Sequence, residues 1–416
     1  MEISVSSEFG SLEGVIIHSP GAEVENMTPE NAQRALYSDI LNLSIAKKEY
    51  QQVKGVLGKV AQTFEVSDLL AKTLFRKEVK EELVQNICAS EKLFHLVDEL
   101  LELEPVALSK ALIEGLPIQR NTLTNFLSKD RYSLQPLFNF YFTRDASISI
   151  NNKVLIGKMA NKVRDREALI MEAIFNHSGS LETTTINPYT SHDARHISIE
   201  GGDVLVARED VLLIGNGCRT TTQGIDYILS RLLNRTDKKR FHILVQELPH
   251  TPESFIHLDM VFTLLDFNKC MVYDPIILQN NKFQTVHITV DNNNVEIKSV
   301  DNLLSGLRPL GIDLEPISCG GTKDSWIQER EQWHSGANFF ALGPGKVMGY
   351  ARNVYTIEEM SKHGFEVIRA KDVVNNHIDL AAHSKYVVTI DGSELPRGGG
   401  GARCMTMPVR RKKISW

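Results

Sequence analysis

A cysteine, a histidine and several carboxylates sit in motifs that could carry nucleophilic and acid–base chemistry. Cys404 follows four consecutive glycines, in Arg397-Gly398-Gly399-Gly400-Gly401-Ala402-Arg403-Cys404. Glycines open backbone conformations closed to other residues and let a ligand approach closely, so a cysteine behind them could act as a nucleophile at an accessible loop end. Alone, the same stretch also reads as a buried cysteine beside a flexible tail, because free cysteine is among the most buried residue types. In His257-Leu258-Asp259 the two polar side chains fall on one face of a strand, whose side chains repeat every two residues. Histidine is the natural proton shuttle near neutral pH, although an isolated pair of this kind can equally bond nearby backbone at a strand entry. Phe142-Thr143-Arg144-Asp145 and Glu200-Gly201-Gly202-Asp203 place acids at turns ahead of strands, where capping and solvation are the ordinary uses. Their value lies in combination.

The elements that must position these residues change character along the chain. Ala46, Tyr50, Val53, Leu57 and Val60 recur at helical intervals among polar residues, the pattern of an amphipathic surface helix. From about Asp68 to Asp130 the pattern is almost wholly helical, with one stripe at Val79, Leu83 and Ile87 and a second at Leu93, Leu96, Val97, Leu100 and Leu101. Pro105 and Pro117 stand where helices would start or stop. This block, 68–130, is expected to form an inserted helical subdomain within a single catalytic domain spanning 1–416. Beyond it come short β-rich runs: Lys153–Gly157, Asp203–Ala207 and Val211–Gly215 joined by a hairpin at Glu209-Asp210, then Met260–Leu265, Met271–Tyr273, Thr285–Val290 and Tyr386–Ile390. Helical stretches near Arg164–Phe175 and Gln223–Leu233 alternate with them, so the fold class is α/β.

Composition narrows the function classes. The chain has 416 residues, 42% of them apolar and 24% charged, which suits a folded protein with a large core. A net charge of −6 argues against a general binder of nucleic acid or anionic membrane. No apolar run approaches the ~18 residues that span a bilayer, and Met1-Glu2-Ile3-Ser4 lacks the features of a signal peptide, so a cytoplasmic protein is expected. The five cysteines show neither a C-x-x-C pair nor a zinc spacing.

Taken in order, Ser7-Glu8-Phe9-Gly10-Ser11-Leu12-Glu13, Asn139 to Asp145, Glu200 to Asp203, His257-Leu258-Asp259 and the Cys404 segment resemble the arginine deiminase family. So do Arg330-Glu331-Gln332-Trp333 with Gly336-Ala337-Asn338, Pro344-Gly345, and Tyr350-Ala351-Arg352-Asn353. The resemblance spans essentially the whole chain. It implies a pentein fold, five pseudo-symmetric ββαβ units around an active site, which periodicity and composition do not reveal. It also implies hydrolysis of free L-arginine to L-citrulline and ammonia, with no metal or organic cofactor, in a homodimer or homotetramer.

By that resemblance, Asp145 and Asp259 grip the planar guanidinium with paired charge-assisted hydrogen bonds. Cys404 attacks as thiolate and forms an S-alkylthiouronium, and His257 protonates the departing ammonia before activating water. Glu200 partners the histidine and the guanidinium, and Asp203 is placed with the guanidinium contacts. Arg164 and Arg219 serve the substrate α-carboxylate, with Asn139 and Phe142 lining the site. Arg164 on its own also reads as a solvated helix-face charge.

Two positions depart from the pattern: Cys218, where many members have an acid, and Gly399, where some carry a second arginine. Rival readings are an amidinotransferase, in which an amine captures the intermediate, and a hydrolase of agmatine, a methylated arginine or citrulline. Retained Arg164 and Arg219 argue against agmatine. A non-catalytic binding protein has no need of a nucleophile with its proton shuttle.

Overall fold

The computed structural model describes residues 1–28, 37, 39–191, 194–233, 240–292 and 294–416. Among the described residues, one supersecondary unit recurs five times: an antiparallel strand pair, a connection that is usually helical, and a strand laid parallel to the pair's second member. In the first complete copy along the chain, Ser147–Ile150 pairs with Lys153–Ile156, the helix Asp165–His177 crosses over, and Thr184–Ile186 runs parallel to Lys153–Ile156. Val204–Arg208, Val211–Asn216, the helix Thr222–Leu233 and Phe241–Glu247 repeat the arrangement. The turn at Glu209 and Asp210 closes that hairpin, as its sequence indicated.

The next unit pairs Phe262–Asp266 with Lys269–Val272 and adds Glu315–Ser318 in parallel. Its crossover contains an extra hairpin, Thr285–Asp291 with Asn294–Val300, which extends the neighbouring sheet through Phe241–Glu247. Phe340–Gly343, Lys346–Tyr350, the helix Val354–Lys362 and Tyr386–Ile390 form another unit, with Glu366–Arg369 added at the outer edge. The remaining unit is assembled from both ends of the chain. Met407–Arg411 runs antiparallel to Leu12–Ile17, and after the helix Leu43–Val60 the strand Gln62–Glu65 returns parallel to it.

The strand sequences explain their burial. Val211–Ile214 is fully buried and continuously apolar, as expected for a strand covered on both faces. Helix Leu43–Val60 starts at Asn42, whose side chain accepts from Ser44 N and Ile45 N and satisfies two otherwise orphaned amides. Its expected stripe of Ala46, Tyr50, Val53 and Leu57 is buried, and Glu49 and Gln52 are buried with it.

Between the unit made by the chain ends and the Ser147–Ile150 unit run the helices Val66–Leu74, Lys77–Glu91, Val97–Glu102, Pro105–Glu114 and Leu123–Leu127. Leu83, Ile87, Leu96 and Leu100 share a buried cluster with Ala168, Met171 and Ile174 of helix Asp165–His177. Arg166 pins this packing, because its guanidinium forks onto Glu91 at 2.6 and 3.0 Å and also reaches the carbonyls of Leu112 and Gln135. No described helix is long and apolar enough to cross a membrane.

Candidate active site

The segments that enter the first strand of each unit converge. Asp145 stands two residues before Ser147–Ile150, and Glu200 and Asp203 stand just before Val204–Arg208. His257 and Asp259 precede Phe262–Asp266, Asn338 precedes Phe340–Gly343, and Cys404 precedes Met407–Arg411. The five-fold repeat thereby carries residues far apart in sequence to one buried centre.

Local geometry differs from the sequence expectation at two points. His257 and Asp259 do not share a strand face: His257 is extended, and Leu258–Met260 forms a 3-10 turn ahead of the strand. Asp203 holds this turn by accepting from Leu258 N at 2.9 Å. Cys404 is not at an accessible loop end either. It is 3% exposed, because the loop folds inward against Phe142 and Asn338.

Around the sulfur, Asn338 Nδ2 donates to Cys404 Sγ at 3.2 Å, and Asp259 Oδ2 lies 3.8 Å away. Burial, followed by the charges of Asp259 and Asp145, pushes the Cys404 thiol well above its ordinary pKa and favours its neutral form. His257 Nε2 meets Glu200 Oε2 at 3.0 Å, while its Nδ1 is 3.8 Å from Asp145 Oδ1. Burial opposes a charged ring there, but Asp145, the hydrogen bond to Glu200 and Asp203 together raise the histidine pKa. Against the same opposition from burial, the His257 hydrogen bond and the Arg219 charge hold the Glu200 carboxyl below its usual range. The pair is therefore imidazolium and carboxylate.

Two carboxylates flank this centre. Asp259 is fully buried and takes Arg403 Nη1 on Oδ2 at 2.8 Å, and Asp145 takes Arg164 Nη1 on Oδ2 at 2.7 Å. In both, Oδ1 is buried and has no hydrogen-bond partner among the described residues. Buried acceptors are rarely left unpaired, so each can take a donor from a ligand. Arg403 is itself fixed by Glu8, at 2.9 and 3.1 Å, and by the Val204 carbonyl at 3.0 Å. This explains the N-terminal Glu8, whose role the sequence left unassigned.

Arg164 is buried, and it also forks onto Glu167 at 2.7 and 3.1 Å and lies 3.9 Å from Glu200. It is an ion-paired core group and not a solvated helix-face charge. Arg219 sits in a tight turn closed by Gly217 N and Thr220 O at 3.0 Å, with Nη1 3.8 Å from Glu200 Oε1. Cys218 in that turn is exposed. Phe142 packs against Gly400, and the carbonyl of buried Asn139 accepts from Phe142 N at 2.9 Å. Asn139 also lines a cleft of about 240 Å³ with Lys162, Val163 and Glu167. Gly399 has φ +86° with open space where a side chain would start, so a larger residue there meets backbone strain and not a steric wall.

Asp145, Glu200 and His257 bring potential metal ligands within 4.8 Å of one another. The Arg164 guanidinium and the His257 imidazolium already supply the positive charge that these two carboxylates need.

Sequence reasoning assigned no role to Asn338 or Glu49. The Glu49 carboxylate, on helix Leu43–Val60, accepts from Ser393 N at 2.6 Å, Glu394 N at 3.1 Å, Leu395 N at 3.0 Å and Ser393 Oγ at 2.6 Å. It ties down the start of the loop that ends in Cys404. An acid on the apolar face of an otherwise regular amphipathic helix was the signal available.

Comparisons with known proteins show the family and the fold. A profile of the arginine deiminase family matches residues 33–411. The arginine deiminase of Bacillus cereus is 32% identical over 431 residues, covering 99% of this chain and 99% of the relative. That of Listeria innocua is 30% identical over 429 residues, again covering 99% of each. Among solved structures, SxtG, an amidinotransferase from Microseira wollei, has a TM-score of 0.55 at 14% identity, covering 99% of this chain and 98% of that one. The N-terminal domain of ArgZ, an arginine dihydrolase from Cyanobacteria, has a TM-score of 0.54 at 14% identity, covering 96% of this chain and 98% of that one. These structures share the pentein fold seen here as five repeated units. With its family profile and its full-length relatives, this chain belongs to the arginine deiminase family.

Proposed function

We propose that this protein hydrolyses free L-arginine to L-citrulline and ammonia, with Cys404 as nucleophile and His257 as proton carrier. One observation carries the reading: Asp145 and Asp259 flank the Cys404–His257 centre, and each keeps a buried oxygen without a hydrogen-bond partner among the described residues. A planar guanidinium has the donors to fill both and would be held flat between sulfur and imidazolium.

Bound there, the substrate cation lies beside the thiol and favours its ionisation. The thiolate attacks the guanidinium carbon, an S–C bond forms, and an electron pair moves onto nitrogen. His257 passes its proton to the departing nitrogen, the C–N bond breaks, and ammonia leaves an S-alkylthiouronium on Cys404. The now neutral His257 takes a proton from water as the water oxygen adds to that carbon. Collapse breaks the C–S bond while the hydroxyl proton passes to solvent, giving citrulline and restoring the thiolate. Glu200 stabilises the imidazolium form, and Asp203 orients the His257–Asp259 turn. Arg164 and Arg219 receive the α-carboxylate, beside Asn139 and Phe142.

The test is product identification by mass spectrometry with L-arginine, and separately with agmatine, L-citrulline and arginine plus glycine. Citrulline and ammonia from arginine alone support the reading, and guanidinoacetate appearing only with glycine replaces it with amidino transfer. The proposal extends to a cytoplasmic homodimer or homotetramer, which light scattering checks for assembly.

A further inference from the structure

Four of the five units supply the groups so far given chemical roles: Asp145, then Glu200 and Asp203, then His257 and Asp259, then Cys404. In the fifth unit the equivalent position, two residues before strand Phe340–Gly343, is Asn338. It is 1% exposed and directed at the centre.

Its amide has one possible orientation. Oδ1 receives Arg403 N at 2.9 Å and Cys404 N at 3.4 Å, and only an oxygen can accept from backbone N–H groups. Nδ2 must then face the other way, where it meets the Asp259 carbonyl at 3.1 Å and Cys404 Sγ at 3.2 Å. The contact is tight on the loop side as well, since a Cβ at Gly401 would lie 2.5 Å from Asn338 Oδ1. A side-chain donor, fixed by the backbone of the nucleophile itself, thus points at the sulfur.

We infer that Asn338 is a further catalytic residue, whose Nδ2–H group stabilises Cys404 as thiolate. The inference rests on the reading of Cys404 as nucleophile. An N–H group gains more from a charged acceptor than from a neutral one, so the bond strengthens when the thiol proton passes to solvent. The other described neighbours of the sulfur divide: burial, Asp259 and Asp145 oppose a negative charge, whereas the Gly401 backbone N–H group and the Arg403 charge work with Asn338. The same amide helps again when the S–C bond breaks and the thiolate leaves.

The experiment compares the full-length protein with Asn338→Asp and Asn338→Leu. Asn338→Asp keeps the oxygen that accepts from Arg403 and Cys404 and removes the donor, so it preserves the loop contact that Asn338→Leu loses. Three quantities are read: kcat, KM for L-arginine, and the pH dependence of Cys404 alkylation by iodoacetamide. Loss of a hydrogen bond to a charged group predicts a fall in kcat of about 10- to 100-fold, with KM changed far less. The alkylation profile should move to higher pH in both variants, because Asn338→Asp also adds a charge beside the sulfur and Asn338→Leu does not, while the circular dichroism of Asn338→Asp matches the parent. An unchanged alkylation profile with unchanged kcat in Asn338→Asp overturns the inference. Cys404→Ala separates the two levels of the argument. Loss of turnover in Cys404→Ala leaves the nucleophile reading standing whatever Asn338 does, whereas full turnover without the thiol overturns both.

Discussion

Arg164 Nη1 lies 2.7 Å from Asp145 Oδ2, so one guanidinium already occupies part of the carboxylate proposed to hold another. The substrate guanidinium takes the unpartnered Asp145 Oδ1, so Arg164 reaches the substrate's α-carboxylate only by leaving Oδ2. In a structure with a non-hydrolysable arginine analogue, the Arg164–Asp145 hydrogen bond should be broken. Retention of the bond with analogue bound would remove Arg164 from the α-carboxylate site.

Removing Arg164 leaves Asp145 and Glu167 buried together without their cation. Uncompensated buried charge costs about 3–5 kcal/mol, so Arg164→Ala should shift the urea midpoint markedly, with Arg164→Lys intermediate. An unchanged midpoint would show that the pair does not contribute to the folded state.

His257 should set an alkaline limit. Its pKa rises from 6.5 to about 9: burial works against the charge, and Asp145 and Glu200 overcome it. The folded protein binds this proton more tightly than the unfolded chain, so its stabilisation is complete below pH 6.5 and is lost as pH rises through about 9. A pH series of melting temperatures should decline across that window in the parent and decline less in His257→Gln. Equal slopes would contradict the imidazolium assignment.

Asp203 works in the same direction at lower pH. Burial lifts its pKa from 3.8 to about 7, so its contribution to stability is complete below pH 3.8 and is lost as pH rises through about 7. Asn at this position keeps an acceptor for Leu258 N without the charge. Asp203→Asn should therefore gain on the parent in melting temperature as pH rises across this range, whereas a constant difference would refute the assignment.

Glu49 acts on the nucleophile loop from a distance. Glu49→Ala strands the buried N–H groups of Glu394 and Leu395, each at a cost of about 1–3 kcal/mol before relaxation, and releases the N–H and hydroxyl of exposed Ser393 to water. Both melting temperature and kcat should fall, and Glu49→Asp should recover part of each. If kcat survives in a destabilised Glu49→Ala, the anchor does not position Cys404.

The chemistry of the site was more legible than its architecture. Cys404, His257 and Glu200 stand in short motifs that alone read as buried, strand-entry or capping residues, and only their order along the chain pointed to acid–base and nucleophilic work. The five-fold repeat was hidden for a physical reason. One unit joins Leu12–Ile17 to Met407–Arg411 across the whole chain, and another is interrupted by the hairpin Thr285–Val300, so no fixed sequence period survives. His257 and Asp259 were misplaced because an H-x-D motif next to an apolar run reads as strand, while Asp203, distant in sequence, holds a 3-10 turn there. Burial of Cys404 depends on contacts with Phe142 and Asn338, which no local pattern encodes.

Intact-mass and peptide analysis of protein acid-quenched during turnover of L-arginine tests the central claim most directly. The account predicts an adduct equal to arginine minus ammonia, located on the peptide carrying Cys404 and absent from Cys404→Ala. Continuing citrulline release with no such adduct, or an adduct on any other residue, would contradict it.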